Sequence, residues 1–289
     1  KYTSLFSTCQ RKDDIFKRIF LHLRQLSCHT MQKKKKKKNI LLWVSGTLLL
    51  LVVSAGIFAF SIISKPFSLS ETVYIYIDGQ KKYEDVVTQI RDKAGFPSEK
   101  IFRMMAERMN YPNKVKTGRY AINDGMTMSD VIRLLRSGSQ TPVDLTFNNM
   151  RTAENLAGRI SQQLMMDSLT LLNALRNNSN AEKYGFDAET FISMFIPNTY
   201  EVYWDTGIGN LLTRMKREYD VFWNESRRDK AEKLGLTPAE VSVLASIVEE
   251  EATYADEYPV VAGLYLNRLK KGMRLEADPT VKFAVGDFS

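Results

Sequence analysis

From Ile40 to Ile63 the chain runs for 24 residues without a charged side chain, and nothing else in it restricts the architecture so strongly. At about 1.5 Å of rise per residue, a helix of that length crosses a hydrocarbon core roughly 30 Å thick. Six consecutive lysines, Lys33 to Lys38, stand just before it, and a basic flank of this kind stays on the cytoplasmic side. The pattern predicts one transmembrane helix over 40–63, a cytoplasmic basic N-terminus over 1–39, and an extracytoplasmic remainder after Lys65. The expected location is the cell (inner) membrane, crossed once. A cleavable signal peptide is the rival reading, but the run exceeds the about 7–15 residues of an h-region and no small-x-small site follows it.

The formal net charge of +8 adds little beyond this topology. Residues 1–39 hold 12 Lys and Arg against 2 Asp, while the remainder holds 29 basic and 31 acidic residues. The basicity is concentrated beside the membrane segment, so no nucleic-acid partner is expected. Residues 1–30 precede Met31, a usable initiator, and fit nothing that follows. They are expected to be upstream translated sequence or an expression artefact. They also contain Cys9, Cys28, His22 and His29, the chain's full set of both residue types. The external region therefore cannot build a Cys/His metal site, a disulfide, a Ser-His-Asp triad or a Cys-His dyad. No metal and no cofactor is expected, and the available acids and bases are carboxylates, Lys, Tyr and Arg.

Outside the membrane, Val73 to Asp78 reads as a strand ending at Gly79, with helices over about Tyr83–Ala94 and Ser98–Met109. A second strand over 115–122 leads to a turn at Asn123-Asp124-Gly125. The next helix is capped by Thr127 with Asp130 at N3 and ends at Gly138. The polar stretch Ser137 to Pro142 is the best domain boundary. Beyond it come a strand at 143–147, helices over 152–164 and 169–176, a strand-like aromatic stretch at 195–204, and one long helical region over 211–234.

The richest segment starts at Leu236. Thr237 as N-cap, Pro238 at N1, Glu240 at N3 and a Leu236/Val241 staple open a helix whose start is well fixed. At roughly 100° per residue, Val241, Val243, Leu244, Ala245, Ile247, Val248 and Ala252 form a broad apolar arc with Glu251 near its middle. Glu250 falls on the opposite, solvated face, Glu249 lies just past the edge of the arc, and Glu240 is explained by the cap. A carboxyl group in apolar surroundings is disfavoured as its ion and can hold a proton for delivery, as a general acid must. The competing reading is a helix-end glutamate paired with an Arg or Lys. A further helix is expected at 258–271, followed by the motif Arg274-Leu275-Glu276-Ala277-Asp278-Pro279-Thr280-Val281.

Three blocks, Leu244-Ala245-Ser246-Ile247-Val248-Glu249-Glu250-Glu251, Leu266-Asn267-Arg268-Leu269, and Gly272-Met273-Arg274-Leu275 with Asp278-Pro279-Thr280-Val281, occur in this order. Together they make residues 73–289 resemble the MltG (YceG-like) family of endolytic murein transglycosylases. Pro197-Asn198-Thr199-Tyr200 resembles that family's Pro-Asp-Thr-Tyr, and the stretch from Gly118-Arg119-Tyr120 to Gly138 resembles its LysM-like module. After the transmembrane helix, the resemblance implies an α+β fold: a small LysM-like module at 73–140 and a mostly helical α+β catalytic domain at 141–289. Family members continue past the Asp-Pro-Thr motif, so the catalytic domain is expected to be incomplete at its C-terminus.

The implied activity is non-hydrolytic cleavage of the β-1,4 bond between N-acetylmuramic acid and N-acetylglucosamine in peptidoglycan, leaving 1,6-anhydro ends. The family's catalytic glutamate falls on Glu251, the residue the helical wheel also selects, with Glu249 as a supporting carboxylate. The family usually has Lys and Thr where this chain has Glu250 and Ala252. Asn198, Tyr200, Asn267, Arg268, Asp278 and Thr280 match motif positions and are candidates to line a sugar groove. Each also has a structural alternative: turn chemistry for Asp278 before Pro279, an ion pair for Arg268, strand packing for Tyr200. The implied partners are peptidoglycan glycan strands, with peptidoglycan synthases and the division or elongation machinery as candidate protein partners. Two rival functions stay open, a non-catalytic membrane-anchored peptidoglycan-binding scaffold and a lysozyme-like hydrolase using Glu249 or Asp278 as the second carboxylate.

Overall fold

The computed structural model describes residues 43, 45–54, 56–58, 60–61 and 63–286. It divides into two units, 1–65 and 66–289. In the first, the described positions from Trp43 to Ile63 are helical, and the large apolar side chains Trp43, Leu48 to Val53, Ile57, Phe58 and Phe60 are exposed. Among the described residues no helix is long and apolar enough to cross a membrane. Positions 40–42, 44, 55, 59 and 62 of the expected span lie outside the described residues, as does the whole of the expected cytoplasmic segment 1–39.

The second unit is mixed α and β, mostly helical. It opens with β1 (Val73–Ile77), α1 (Tyr83–Lys93), α2 (Glu99–Arg108), β2 (Gly118–Ile122) and α3 (Met128–Ser137). β1 and β2 pair antiparallel from Val73 opposite Ile122 to Ile77 opposite Gly118. Ile75, Ile77, Val87, Ile90, Phe102, Tyr120, Ile132 and Leu135 are among the residues buried in the core of this part. The capping box expected at Thr127 and Asp130 is present, and Gly138 closes α3 in the left-handed conformation at φ 77°.

β3 (Val143–Phe147), α4 (Ala153–Ser161), α5 (Ser168–Leu175), α6 (Asn178–Tyr184), a 3-10 turn at Phe191–Met194, β4 (Asn198–Val202), α7 (Ile208–Phe222) and α8 (Glu225–Lys233) follow. β3 and β4 pair antiparallel with Phe147 opposite Asn198, over a second core that includes Leu145, Phe147, Ile160, Phe191, Tyr200 and Met215. The long helix expected over 211–234 is instead two. Trp223 leaves the helical region and the Asn224 side chain accepts from the Arg227 N–H, restarting the chain as α8. Asparagine stops one helix and caps the next because its short amide satisfies backbone donors that a helix start leaves open. α6, capped by Asn177, and the 3-10 turn were not legible beforehand.

Both two-stranded sheets protect a strand edge in the same way. The Gln89 amide of α1 accepts from the Tyr76 N–H (3.0 Å) and donates to the Tyr76 carbonyl (2.6 Å). The Gln163 amide does the same to Thr146 of β3, at 2.9 and 2.8 Å. A side-chain amide thus stands in for a third strand on an edge that would otherwise present open backbone groups.

Asp205, in the β4–α7 loop, accepts from the Thr117 hydroxyl (2.6 Å) and from the Gln140 amide (3.0 Å), while the neighbouring Trp204 ring meets Tyr76 edge-on at 5.1 Å. These contacts join the part built on β1–β2 to the part built on β3–β4. Asp205→Ala removes the acceptor from two partly buried donors and is expected to lower unfolding free energy by about 1–2 kcal/mol. Urea denaturation of the full chain checks this, and an unchanged midpoint would show that the aspartate does not hold the two parts.

Candidate active site

α9 (Pro238–Glu251), α10 (Tyr258–Lys270) and α11 (Asp278–Val285) complete the fold. The start of α9 is the expected one. Thr237 Oγ1 accepts from the Glu240 N–H (3.2 Å), and the Glu240 carboxylate accepts from the Thr237 N–H (2.7 Å). The staple divides, since Leu236 packs with the third core and Val241 with the second. That third core is small. Leu244, Ile247 and Val248 of α9 meet Tyr265 of α10 and Ala277 at the start of α11.

The three glutamates at the end of α9 have different surroundings. Glu249 accepts a short hydrogen bond from the Asn149 amide, and Glu250 pairs with Arg151 at 2.5 Å. Both donors lie in the loop after β3, beside the β4 end where Asn198 stands opposite Phe147. Glu250 is exposed, as its place on the solvated face of the wheel predicts, and its pair with Arg151 also ties α9 to that loop. Glu251 ends the helix on the side of α10, where its charge acts on the Tyr265 phenol.

Glu251 is exposed, which corrects the expectation of apolar surroundings. The reason is local. α9 ends at Glu251, Ala252 is extended at φ −96° and ψ 129°, and the apolar arc is closed by Leu244, Ile247, Val248 and the buried Ala252. The last position of a helix has no following turn to cover it.

Tyr265 is the meeting point of the site. It is 5% exposed. Burial, then the neighbouring Glu251, raise its phenol above the ordinary range; Asp278 acts in the same direction and Arg268 opposes it. The charges of Glu251, Arg268 and Asp278, from three different helices, thus all act on one phenol. No reading of the sequence marked Tyr265. The available signal was a tyrosine three positions before Arg268, on the face of α10 turned towards α9.

Arg268 is the structural keystone of the following turn. Its Nε donates to the Arg274 carbonyl (2.8 Å), and its Nη2 donates to the Glu276 carboxylate in a short ion pair. Glu276 itself sits at φ 51°, a left-handed conformation that a non-glycine residue holds only when its surroundings fix it. The turn delivers Asp278 to the first turn of α11, where its charge favours the helix N-terminus. Thr280 donates its hydroxyl to the Ala277 carbonyl (2.6 Å).

The remaining candidates separate. Asn267 is exposed on α10 and Asn198 is exposed at the start of β4. Tyr200 belongs to the second core. It is 4% exposed, its ring lies 5.5 Å from that of Phe147, and its hydroxyl donates to the Ile196 carbonyl at 2.5 Å. Burial pushes its phenol up to about 12, and its ring is not available to stack on a sugar. Exposed aromatic surface is offered instead by Tyr254 and Tyr258, three and seven positions past Glu251. Among the described residues no group of three or more His, Cys, Asp and Glu is arranged to hold a metal ion.

The YceG-like family profile matches residues 75–289. The endolytic murein transglycosylase of Bacillus subtilis is 25% identical over 236 residues, covering 74% of this chain and 64% of the relative. The endolytic murein transglycosylase of Streptococcus pneumoniae strain D39 is 24% identical over 217 residues, covering 64% of this chain and 38% of the relative. The chain thus spans less than two thirds of the length of these curated relatives. A crystal structure of a yceG-like protein from Listeria monocytogenes superposes with a TM-score of 0.49 at 23% identity, covering 76% of this chain and 78% of that one.

Arg268→Ala removes both bonds that hold the 274–276 turn against α10. Trypsin cleavage after Arg274 is expected to accelerate roughly three- to tenfold, because local opening costs about 1 kcal/mol less, with little change in the global unfolding midpoint. An unchanged cleavage rate would show that Arg268 does not hold the turn.

Proposed function

The chain belongs to the YceG-like family, and on that premise we propose that it is a membrane-anchored lytic transglycosylase that cuts within peptidoglycan glycan strands. The observation that carries this reading is the placement of Glu251. Its carboxylate stands at the exposed end of α9, while its neighbours Glu249 and Glu250 are engaged by Asn149 and Arg151. The printed activity of the bacillary and streptococcal relatives supports the substrate class.

Glu251 in its protonated form delivers a proton to the glycosidic oxygen as the bond from C1 of N-acetylmuramic acid breaks and positive charge develops on the sugar ring. The C6 hydroxyl of the same sugar then attacks C1. Glu251, ionised by the first step, takes the hydroxyl proton and returns to its starting state. The 1,6-anhydro ring closes without water, so one carboxylate acts first as acid and then as base and no nucleophilic carboxylate is needed. Glu249, bonded to Asn149, serves to fix the end of α9 to the loop after β3. Asn198, Asn267, Arg268, Asp278 and Thr280 are the proposed groove residues. Within that set Arg268 and Thr280 also have the structural bonds described above. Tyr254 and Tyr258 replace Tyr200 as the aromatic surface for sugar rings.

The uncharged run 40–63 behind six lysines supports a single-pass anchor with the site outside the cytoplasm. The exposed apolar side chains of its described helical positions agree with lipid contact. The order β1-α1-α2-β2 in residues 73–122 supports a LysM-like module that would hold glycan ahead of the site. Peptidoglycan synthases and the division or elongation machinery are the protein partners such placement would serve.

Muropeptides released from purified peptidoglycan by the full chain in detergent are expected to carry anhydro-muramyl ends. With Glu251→Gln the yield is expected to drop by about 10²–10⁴-fold, the usual weight of a general acid or base. Reducing ends from the wild type would point to hydrolysis. Release that persists in the variant would remove Glu251 from its role, and peptidoglycan binding without release by either protein would favour the scaffold reading.

A further inference from the structure

The loop after β3 is fixed at both ends before it meets α9. Phe147 is buried at the end of β3 and stands opposite Asn198, and Thr152 caps α4 by accepting from the Asn155 N–H at 3.2 Å. Between them Met150 packs against the second core, while its neighbours Asn149 and Arg151 are exposed. With the methionine turned inward, the side chains on either side of it reach out to the last turn of α9. The Asn149 amide donates to the Glu249 carboxylate, and Arg151 Nη2 pairs with Glu250 at 2.5 Å.

That end of α9 needs a hold. Three carboxylates end the helix and no basic residue stands in its last turn, so the negative end of the helix dipole meets like charge. The compensating cation is brought by another element, as Arg151. The start of α9 is tied to the second core through Val241, and Glu251 lies about 15 Å further along the axis. A tilt of about 4° about that start moves the helix end by about 1 Å. A displacement of that size costs up to about a hundredfold in rate at a reacting group.

We propose that Arg151 is a positioning residue: with Asn149 it clasps the last turn of α9 and so fixes where the Glu251 carboxylate stands for proton transfer. This rests on the reading of Glu251 as the proton-transfer group.

The test exchanges the charges of the pair in the full chain. Arg151→Glu sets two carboxylates against each other, and the double variant Arg151→Glu with Glu250→Arg restores an ion pair. One arm needs no activity. By hydrogen exchange, the backbone amides of the last turn of α9 are expected to exchange roughly three- to tenfold faster in Arg151→Glu and to return to within about twofold of the wild type in the double variant. The thermal midpoint stays nearly unchanged, because the two side chains are 41% and 45% exposed and such a pair adds little to global stability. Unchanged exchange in Arg151→Glu, or no recovery in the double variant, would overturn the proposal. In the second arm, on soluble glycan strands, Arg151→Glu is expected to lower kcat about tenfold with KM within about twofold, and the double variant to recover kcat to within about threefold of the wild type. An unchanged kcat would overturn the proposal, as would a loss confined to KM, which would make Arg151 a substrate contact. If the wild type releases no anhydro ends, the transglycosylase reading fails by itself, and the exchange arm alone decides whether Arg151 holds the helix end.

Discussion

Everything proposed for this chain depends on a small contact, the packing of Leu244, Ile247 and Val248 on Tyr265 and Ala277. Three short helices, α9, α10 and α11, meet there. Full burial of one such aliphatic side chain is worth about 1.5–3 kcal/mol, enough to dock α10 and α11 on α9. The contact joins residues that lie far apart on the chain: the end of α9, the middle of α10, and the turn that opens α11. Without it Glu251 would end a helix facing only water.

The three adjacent glutamates show how local geometry divides like residues. All are carboxylates on the last turn of one helix, yet Asn149 takes Glu249 and Arg151 takes Glu250, while Glu251 stays exposed at the helix end. Two of them fasten α9 to the loop after β3, on the side where Asn198 opens β4. The third is left exposed at the helix end, where a substrate can reach it.

Much of the fold was legible because its signals are local. Thr127 with Asp130, and Thr237 with Pro238 and Glu240, fixed helix starts, and the strand patterns at 73–77 and 143–147 are short-range alternations. The break at Asn224 was missed because the charged segment after it, Glu225–Lys233, is made of good helix formers and a single side-chain cap restarts the helix there. In the site, the wheel singled out Glu251 from period alone. It misjudged the surroundings because a wheel assumes a helix continues, and α9 stops at that residue. For Tyr200 the sequence left a groove role and strand packing open, since a tyrosine on a strand looks the same from either side of the sheet, and it is core. Tyr265 escaped notice because its importance comes from a neighbour on another helix, which no spacing within α10 records.

The central claim is that one carboxylate completes the cycle and water takes no part. Digestion of peptidoglycan in water enriched in oxygen-18 tests it most directly. The account predicts released glycan ends of anhydro mass that carry no heavy oxygen, at every stage of the digest. Incorporation of heavy oxygen at the newly formed muramyl C1 would contradict it, and would require a carboxylate that activates water beside Glu251.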